Sequence, residues 1–172
     1  MLDLLSKIYS MFDYNELFES LFENGVRYLI CGGLAVNVYG IPRMTADIDL
    51  ILDLEKENIT NFLGCIEKLG YHALLPIRLI EFENTAIRLK YKTEKNLIAY
   101  SFFNNRNDVM SLDVLLDCPL SFDVLWKNKE TRIIEKFDVF LVSVEHLIDL
   151  KYYSNRAQDK SDIILLSKLL RK

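Results

Sequence analysis

Two aspartates one residue apart, Asp47 and Asp49, stand in the run Asp47-Ile48-Asp49-Leu50-Ile51-Leu52. In an extended strand alternate residues share a face, so both carboxylates point one way while Ile48 and Leu50 point into a core. Like charges held this way repel each other, and a divalent cation is the partner that neutralises them. Upstream, the apolar run Tyr28 to Cys31 ends at Gly32 and Gly33. Such a turn bares backbone N–H groups with no side chain in the way, as the close approach of a phosphate requires. Thirteen residues, 34 through 46, separate the glycines from the aspartates. Together they describe a site for a metal nucleotide. Asp113, inside the apolar run Leu112-Asp113-Val114-Leu115-Leu116, is the candidate third carboxylate. Asp108 and Asp117 compete for that place; 117 shares the parity of 113 but precedes Pro119 at the strand's end. Three carboxylates and a triphosphate permit two-metal catalysis, so two Mg²⁺ ions are expected with an NTP bound.

These residues need a sheet to hold them. Val26 to Cys31 reads as a first strand, Leu34 to Tyr39 as a short helical turn, and Asp47 to Leu52 as a second strand. Residues 2–23 carry apolar side chains at helical spacing (Leu5, Ile8, Tyr9, Phe12, then Leu17, Phe18, Leu21, Phe22) and read as one broken or two short helices closed by Gly25, with Asp13 as N-cap of the second. Glu55 to Leu69 is an amphipathic helix ended by Gly70, and Tyr71 to Leu75 a short strand. The apolar positions of 77–96 fit a helix from about Leu79 to Tyr91. Leu97 to Phe103 and Val109 to Leu116 read as a hairpin across the polar turn Asn104 to Asp108. A short helix at Phe122 to Lys127 and strands at Thr131 to Glu135 and Val139 to Val142 follow. Ser143 caps a helix bearing Leu147, Ile148, Leu150 and Lys151, and a last helix runs from Ala157 to Leu170. The expected fold is α/β (α+β): a small twisted mixed sheet flanked by helices, with a C-terminal helical part. Residues 1–142 form the core and 143–172 pack on it in a single compact domain.

Composition limits the function classes. The 172 residues are 51% apolar, enough for a proper core. A net charge of −4 and a pI near 5.3 argue against coating nucleic acid through a broad basic face, though a local basic patch remains open. Cys31, Cys65 and Cys118 are odd in number and lie in apolar stretches, as reduced thiols of a cytoplasmic protein do. His72 and His146 lie far from them, which gives no zinc-binding spacing. No signal peptide and no membrane span of roughly 20 apolar residues is read.

The pattern Cys31-Gly32-Gly33 followed by Asp47-Ile48-Asp49 resembles the signature of the DNA polymerase β-like nucleotidyltransferase superfamily. Arg43-Met44-Thr45-Ala46-Asp47-Ile48-Asp49 is similar, more narrowly, to the bacterial abortive-infection nucleotidyltransferases, toxins of type IV toxin–antitoxin systems. So is Lys151 followed by Arg156, Asp159 and Asp162. The resemblance implies that Gly32 and Gly33 hold the nucleotide phosphates, with Arg43 and Thr45 beside them. It also implies that Asp47, Asp49 and Asp113 bind Mg²⁺, that Asp113 helps deprotonate the acceptor, and that Lys151 reaches the triphosphate. Asp159 stands either as a nucleotide-site residue or as a cap of the last helix.

On this reading a nucleoside monophosphate passes from a Mg-NTP to a hydroxyl. The acceptor is an RNA 3′ end such as tRNA, or a protein side chain, with an antitoxin partner if the toxin likeness holds. The rivals are a small-molecule, antibiotic-type nucleotidyltransferase and a non-catalytic nucleotide- or partner-binding module. Local alternatives also stand. Arg43 reads as phosphate ligand or surface ion pair, Lys151 as ligand or solvated lysine, Arg156 and Asp159 as a mutual pair, and Tyr152 and Tyr153 as core rather than base-stacking rings.

Overall fold

A computed structural model describes residues 14–45, 47–104, 111–134 and 136–171. The expected opening helix with its Asp13 cap, Ala46, the turn through Asp108 with Val109, Glu135 and Lys172 lie outside them.

Helix α1 (Tyr14–Glu23) buries Leu17, Phe18 and Leu21 on one face. Strand β1 (Tyr28–Ile30), helix α2 (Gly32–Val38) and strand β2 (Asp47–Leu52) follow. Helix α3 (Lys56–Lys68) buries Ile59, Phe62 and Ile66, and leads to strand β3 (Tyr71–Ala73). The helix expected over 79–91 is instead two pieces, a 3-10 turn at Leu79–Glu83 and helix α4 (Thr85–Lys95). Asn84 is the cause: its side-chain oxygen accepts the Ala86 N–H at 2.8 Å and restarts the helix as an N-cap. Strands β4 (Ala99–Asn104) and β5 (Ser111–Leu115), helix α5 (Phe122–Lys127), and strands β6 (Glu130–Ile134) and β7 (Phe137–Leu141) come next. Helices α6 (Val144–Ser154) and α7 (Ala157–Leu169) complete the described chain.

The strands form one mixed seven-stranded sheet in the order β3-β4-β5-β2-β1-β7-β6. At its centre β2 runs antiparallel to β1 and parallel to β5. The even-numbered residues of the middle strands (Ile48, Leu50, Tyr100, Phe102, Leu112, Val114) are buried. They pack under α3 and the 3-10 turn, where the Phe62 and Phe102 rings meet edge-on at 5.9 Å and Phe82 meets Tyr100 at 5.7 Å. On the same strands the odd-numbered residues turn the other way, and these carry the carboxylates.

Helices α6 and α7 pack against each other, and α6 is fixed to the core by Leu147 and Ile148. The Tyr39 hydroxyl adds a bond of 2.7 Å to the Val142 carbonyl just before α6. Ser143 caps α6 as its sequence indicates, accepting from the His146 N–H. Tyr152 and Tyr153, expected in the core, are 65% and 50% exposed. The buried residues of α6 are Leu147, Ile148 and, unexpectedly, Lys151, while the Tyr153 hydroxyl donates to Asp117 Oδ2 at 3.0 Å.

Candidate active site

Strand register builds the site. Asp47 lies opposite Ser111 and Asp49 opposite Asp113 across the parallel β2–β5 pair, and Ser101 of β4 lies opposite Asp113. Adjacent strands are roughly 5 Å apart, so the three aspartates occupy one small area of one sheet face. The Ser111 hydroxyl donates to Asp47 Oδ1 at 2.8 Å. Asp113 Oδ1 is buried with no hydrogen-bond partner. Of the acids open for the third position, Asp113 lies directly opposite Asp49, whereas Asp117 lies beyond the end of β5 and Asp108 outside the described residues.

The electrostatics are those of crowded acids. Burial, and then the charges of Asp113 and Asp47, push the Asp49 carboxyl up to about 6, against the partial relief of Arg156 and the Gly33 N–H. Asp113 is also raised, first by burial and also by Asp47, while the Ser101 and Ser111 hydroxyls and Arg156 pull it back.

The glycines are required at this point of the chain. Gly32 has φ +59°, and a Cβ there would lie 1.8 Å from Asp49 Oδ2. A Cβ on Gly33 would lie 2.7 Å from Thr45 Oγ1 and 3.2 Å from the Arg43 guanidinium carbon. Any side chain at position 32 thus enters both a left-handed backbone and the Asp49 carboxylate. Gly32→Ala should lower stability by at least ~2 kcal/mol and displace Asp49. Thermal unfolding checks the first effect, and loss of nucleotide binding the second.

A cleft of about 380 Å³ opens beside these residues, with α6 and α7 forming its other wall. Gly32, Gly33, Arg43, Asp49, Lys151 and Arg156 line its charged end. Thr45 lies just behind Gly33, its hydroxyl 3.3 Å from the Asp47 carbonyl. Lys151 is only 4% exposed, and its Nζ lies 2.6 Å from Asp162 Oδ2 and 3.4 Å from Asp159 Oδ1. Asp162 Oδ2 also accepts from Arg43 at 2.5 Å, joining the segment before β2 to α7 across 119 residues of sequence. Of the two readings open for Arg43, the ion pair is present, but in a buried network rather than on the surface. Asp159 caps α7: its Oδ2 accepts from the Arg156 N–H at 2.9 Å and from the Ser154 hydroxyl at 2.6 Å. Burial would raise the Asp159 carboxyl, but Ser154, the Arg156 N–H and Lys151 outweigh it and hold it below its ordinary range.

Two members of the site stand in the C-terminal motif without a role that the sequence assigns. Asp162 ties Arg43 to Lys151, and its signal is helical spacing: Asp159, Asp162, Ile163 and Leu166 form the buried face of α7. Acids at core-facing positions imply buried cations opposite them. Arg156 reads from sequence as a member of the C-terminal motif, a partner of Asp159 or part of a local basic surface, with no place beside the acids. Its backbone N–H serves Asp159, while its exposed guanidinium lines the cleft and draws down the carboxyls of Asp49 and Asp113.

The donor set suits a hard divalent cation: carboxylate oxygens on one face, one of them buried and unpartnered, with the Asp49 and Asp113 carboxyls raised first by burial and then by neighbouring carboxylates. Among the described residues no three His, Cys, Asp or Glu side chains form a ready-made metal-holding group. Mg²⁺ commonly takes only one or two carboxylates and completes its shell with water and substrate phosphate.

A mixed sheet with two acids on one strand, a third on its parallel neighbour and a glycine turn beside them has the nucleotidyltransferase fold. Two solved structures of the antibiotic-resistance factor ANT(2'')-Ia share it. The solution structure superposes with a TM-score of 0.56 at 14% identity, covering 91% of this chain and 82% of that one. The crystal structure in complex with adenylyl-2''-tobramycin gives 0.57 at 15% identity, covering 91% and 87%. At these identities the likeness is one of fold. No protein-family model matches the chain, and no curated protein matches it. Among the described residues no helix is long and apolar enough to cross a membrane.

Proposed function

We propose that this protein is a Mg²⁺-dependent nucleotidyltransferase that moves a nucleoside monophosphate from an NTP to a hydroxyl. The observation that carries the reading is the register of Asp49 against Asp113, with Asp47 on the same face and Asp113 Oδ1 buried without a partner. A chain with no use for a cation gains nothing from three mutually repelling acids, which counts against a non-catalytic module. Asp47, Asp49 and Asp113 would hold Mg²⁺, as two ions with the nucleotide present. The metal supplies charge stabilisation for the phosphates and for the leaving pyrophosphate.

The chain's own groups do the rest. Gly32 and Gly33 shape the wall against which the phosphates lie, with Arg43 and Thr45 behind them. Arg156 offers the exposed cation for the triphosphate, while Lys151 and Asp159 hold α6 and α7 over it. Asp113, its carboxyl raised toward a useful basicity, takes the acceptor's proton. The acceptor oxygen then bonds to the α-phosphorus as the bond to the β-phosphate breaks, and pyrophosphate leaves.

For the acceptor, an RNA 3′ end such as tRNA, or a protein side chain, follows from the resemblance to the abortive-infection enzymes. Exposed Arg156, Lys160, Lys168 and Arg171 on and beside α7 would serve an RNA backbone. A toxin role with an antitoxin partner follows from the same resemblance, and a cytoplasmic location from the free thiols of Cys31, Cys65 and Cys118. A small-molecule acceptor is the second reading, favoured by the fold shared with a protein solved with adenylyl-2''-tobramycin. Incubating the protein and Mg²⁺ with each α-labelled NTP and with tRNA, protein or aminoglycosides separates them. Label on tRNA or protein supports the first reading and label on the drug the second. No label on any acceptor, or equal label from an Asp47→Ala, Asp49→Ala protein, overturns both.

A further inference from the structure

The strand register carries the acid face beyond β5 toward the edge of the sheet. Residues directly opposite each other on adjacent strands project to the same side. Asp47 of β2, Ser111 of β5, Phe103 of β4 and His72 of β3 are successive partners, so they form one row across four strands. Asp49, Asp113 and Ser101 form the next row. The Leu74 N–H donates to the Ser101 carbonyl just past the end of β3, which sets Leu74 at the end of that second row. The cleft under α6 meets this face at Leu115, at the far end of β5. Toward β3 the face is open: Phe103 is 39% exposed, Leu74 is 65% exposed, and His72 is exposed beside them.

Burial does not account for the ring at position 103. Tyr100 and Phe102 already supply the core from the other side of β4, each 2% exposed or less. Past Asp113 neither row holds an acid among the described residues. A polycationic acceptor such as an aminoglycoside would find no counter-charge there. An exposed ring on a sheet face instead matches the flat face of a nucleobase, which is how single-stranded RNA is held on a sheet. The position agrees with that chemistry. Phe103 lies one strand over from Asp113 and two residues along, roughly 8 Å away by strand geometry. That is the reach from a sugar hydroxyl at Asp113 to the base of the same nucleotide.

We propose that Phe103, flanked by His72 and Leu74, is the stacking platform for the base of the acceptor's 3′-terminal nucleotide, so that the acceptor is a single-stranded RNA end laid across β4. This rests on the nucleotidyl-transfer reading of the acids and adds how the acceptor is held.

The test is binding of a short single-stranded RNA with a free 3′-hydroxyl to the intact protein, followed by fluorescence anisotropy, beside calorimetry of Mg²⁺-NTP binding. Phe103→Ala should weaken the RNA by roughly tenfold through the lost stack. Phe103→Trp should restore it, and both variants should keep the native NTP affinity. An otherwise identical RNA lacking its 3′-terminal base should bind the native protein more weakly by the same factor, and should lose nothing further on Phe103→Ala. A merely structural role for Phe103 would not couple to the base in this way. RNA affinity unchanged by Phe103→Ala, penalties that add instead of coinciding, or RNA that does not bind while NTP does would each overturn the stacking site and leave the nucleotide site standing. Should Phe103→Ala fail to fold, Phe103→Leu takes its place, because leucine keeps apolar bulk on the strand and offers no ring. If no NTP binds, the reading beneath the proposal fails with it.

Discussion

Asp49→Asn is expected to lower nucleotidyl transfer by about a thousandfold or more, while leaving the metal-free protein at least as stable as its parent at neutral pH. The rate effect corresponds to about 4 kcal/mol of barrier and follows from removing the central charged ligand of the acid cluster. The stability effect has the opposite sign because of where Asp49 sits. Burial and the charges of Asp113 and Asp47 raise its carboxyl to about 6. A raised carboxyl contributes stability that is fully present below its unfolded value of about 3.9 and lost as pH rises through 6. At pH 7.5 without metal the parent therefore holds an unwelcome ionised group, at a cost of roughly 2–3 kcal/mol. Asparagine keeps the shape that fits against Gly32 and carries no charge. Melting temperatures in chelator should favour the variant at pH 7.5, and the gap should close by pH 4.5. A variant less stable than its parent at both values would mean that Asp49 serves packing rather than a cation.

The second large effect falls on stability. Lys151→Met removes the cation between Asp159 and Asp162, both about 5% exposed or less. Breaking one side of a buried ionic network costs roughly 3 kcal/mol or more, because the charges left behind are not resolvated. Arg43 still reaches Asp162, and Ser154 and the Arg156 N–H still reach Asp159, so the lower part of that range applies. In a domain of this size the loss is about 6–12 °C in melting temperature. Arg156→Ala should show the converse pattern. Its guanidinium is exposed at the cleft, so its loss should weaken NTP binding about tenfold and move the melting temperature little. A Lys151 variant that melts normally but binds NTP poorly would return that lysine to the role of direct phosphate ligand.

Much of the sheet was legible because its strands follow period two without conflict. Asp47–Leu52 runs between the residues its alternation sets, with Ile48 and Leu50 buried and the aspartates on the other face. Ser143, Gly70 and the short helix Phe122–Lys127 carry local turn and cap chemistry that needs no distant partner. The break at Asn84 was missed because the apolar spacing of Leu79 to Tyr91 passes through it, and a cap wins locally over such a pattern. Lys151 is the instructive case. On a helix a lysine beside Leu147, Ile148 and Leu150 reads as the edge of an apolar face, and its burial depends on Asp159 and Asp162 in the next helix. Arg43 depends on an acid 119 residues away, a distance that no local pattern spans. The clustered acids were thus visible from strand parity, whereas the wall of the cleft opposite them rests on tertiary pairs.

The most direct test is diffraction from crystals of the protein grown with Mn²⁺ in place of Mg²⁺ and a non-hydrolysable NTP analogue. Anomalous scattering should place manganese among Asp47, Asp49 and Asp113, with the phosphates between the glycine turn and Arg156. Manganese bound elsewhere, or a nucleotide seated away from the three aspartates, would contradict the assignment of this face as a metal-nucleotide site.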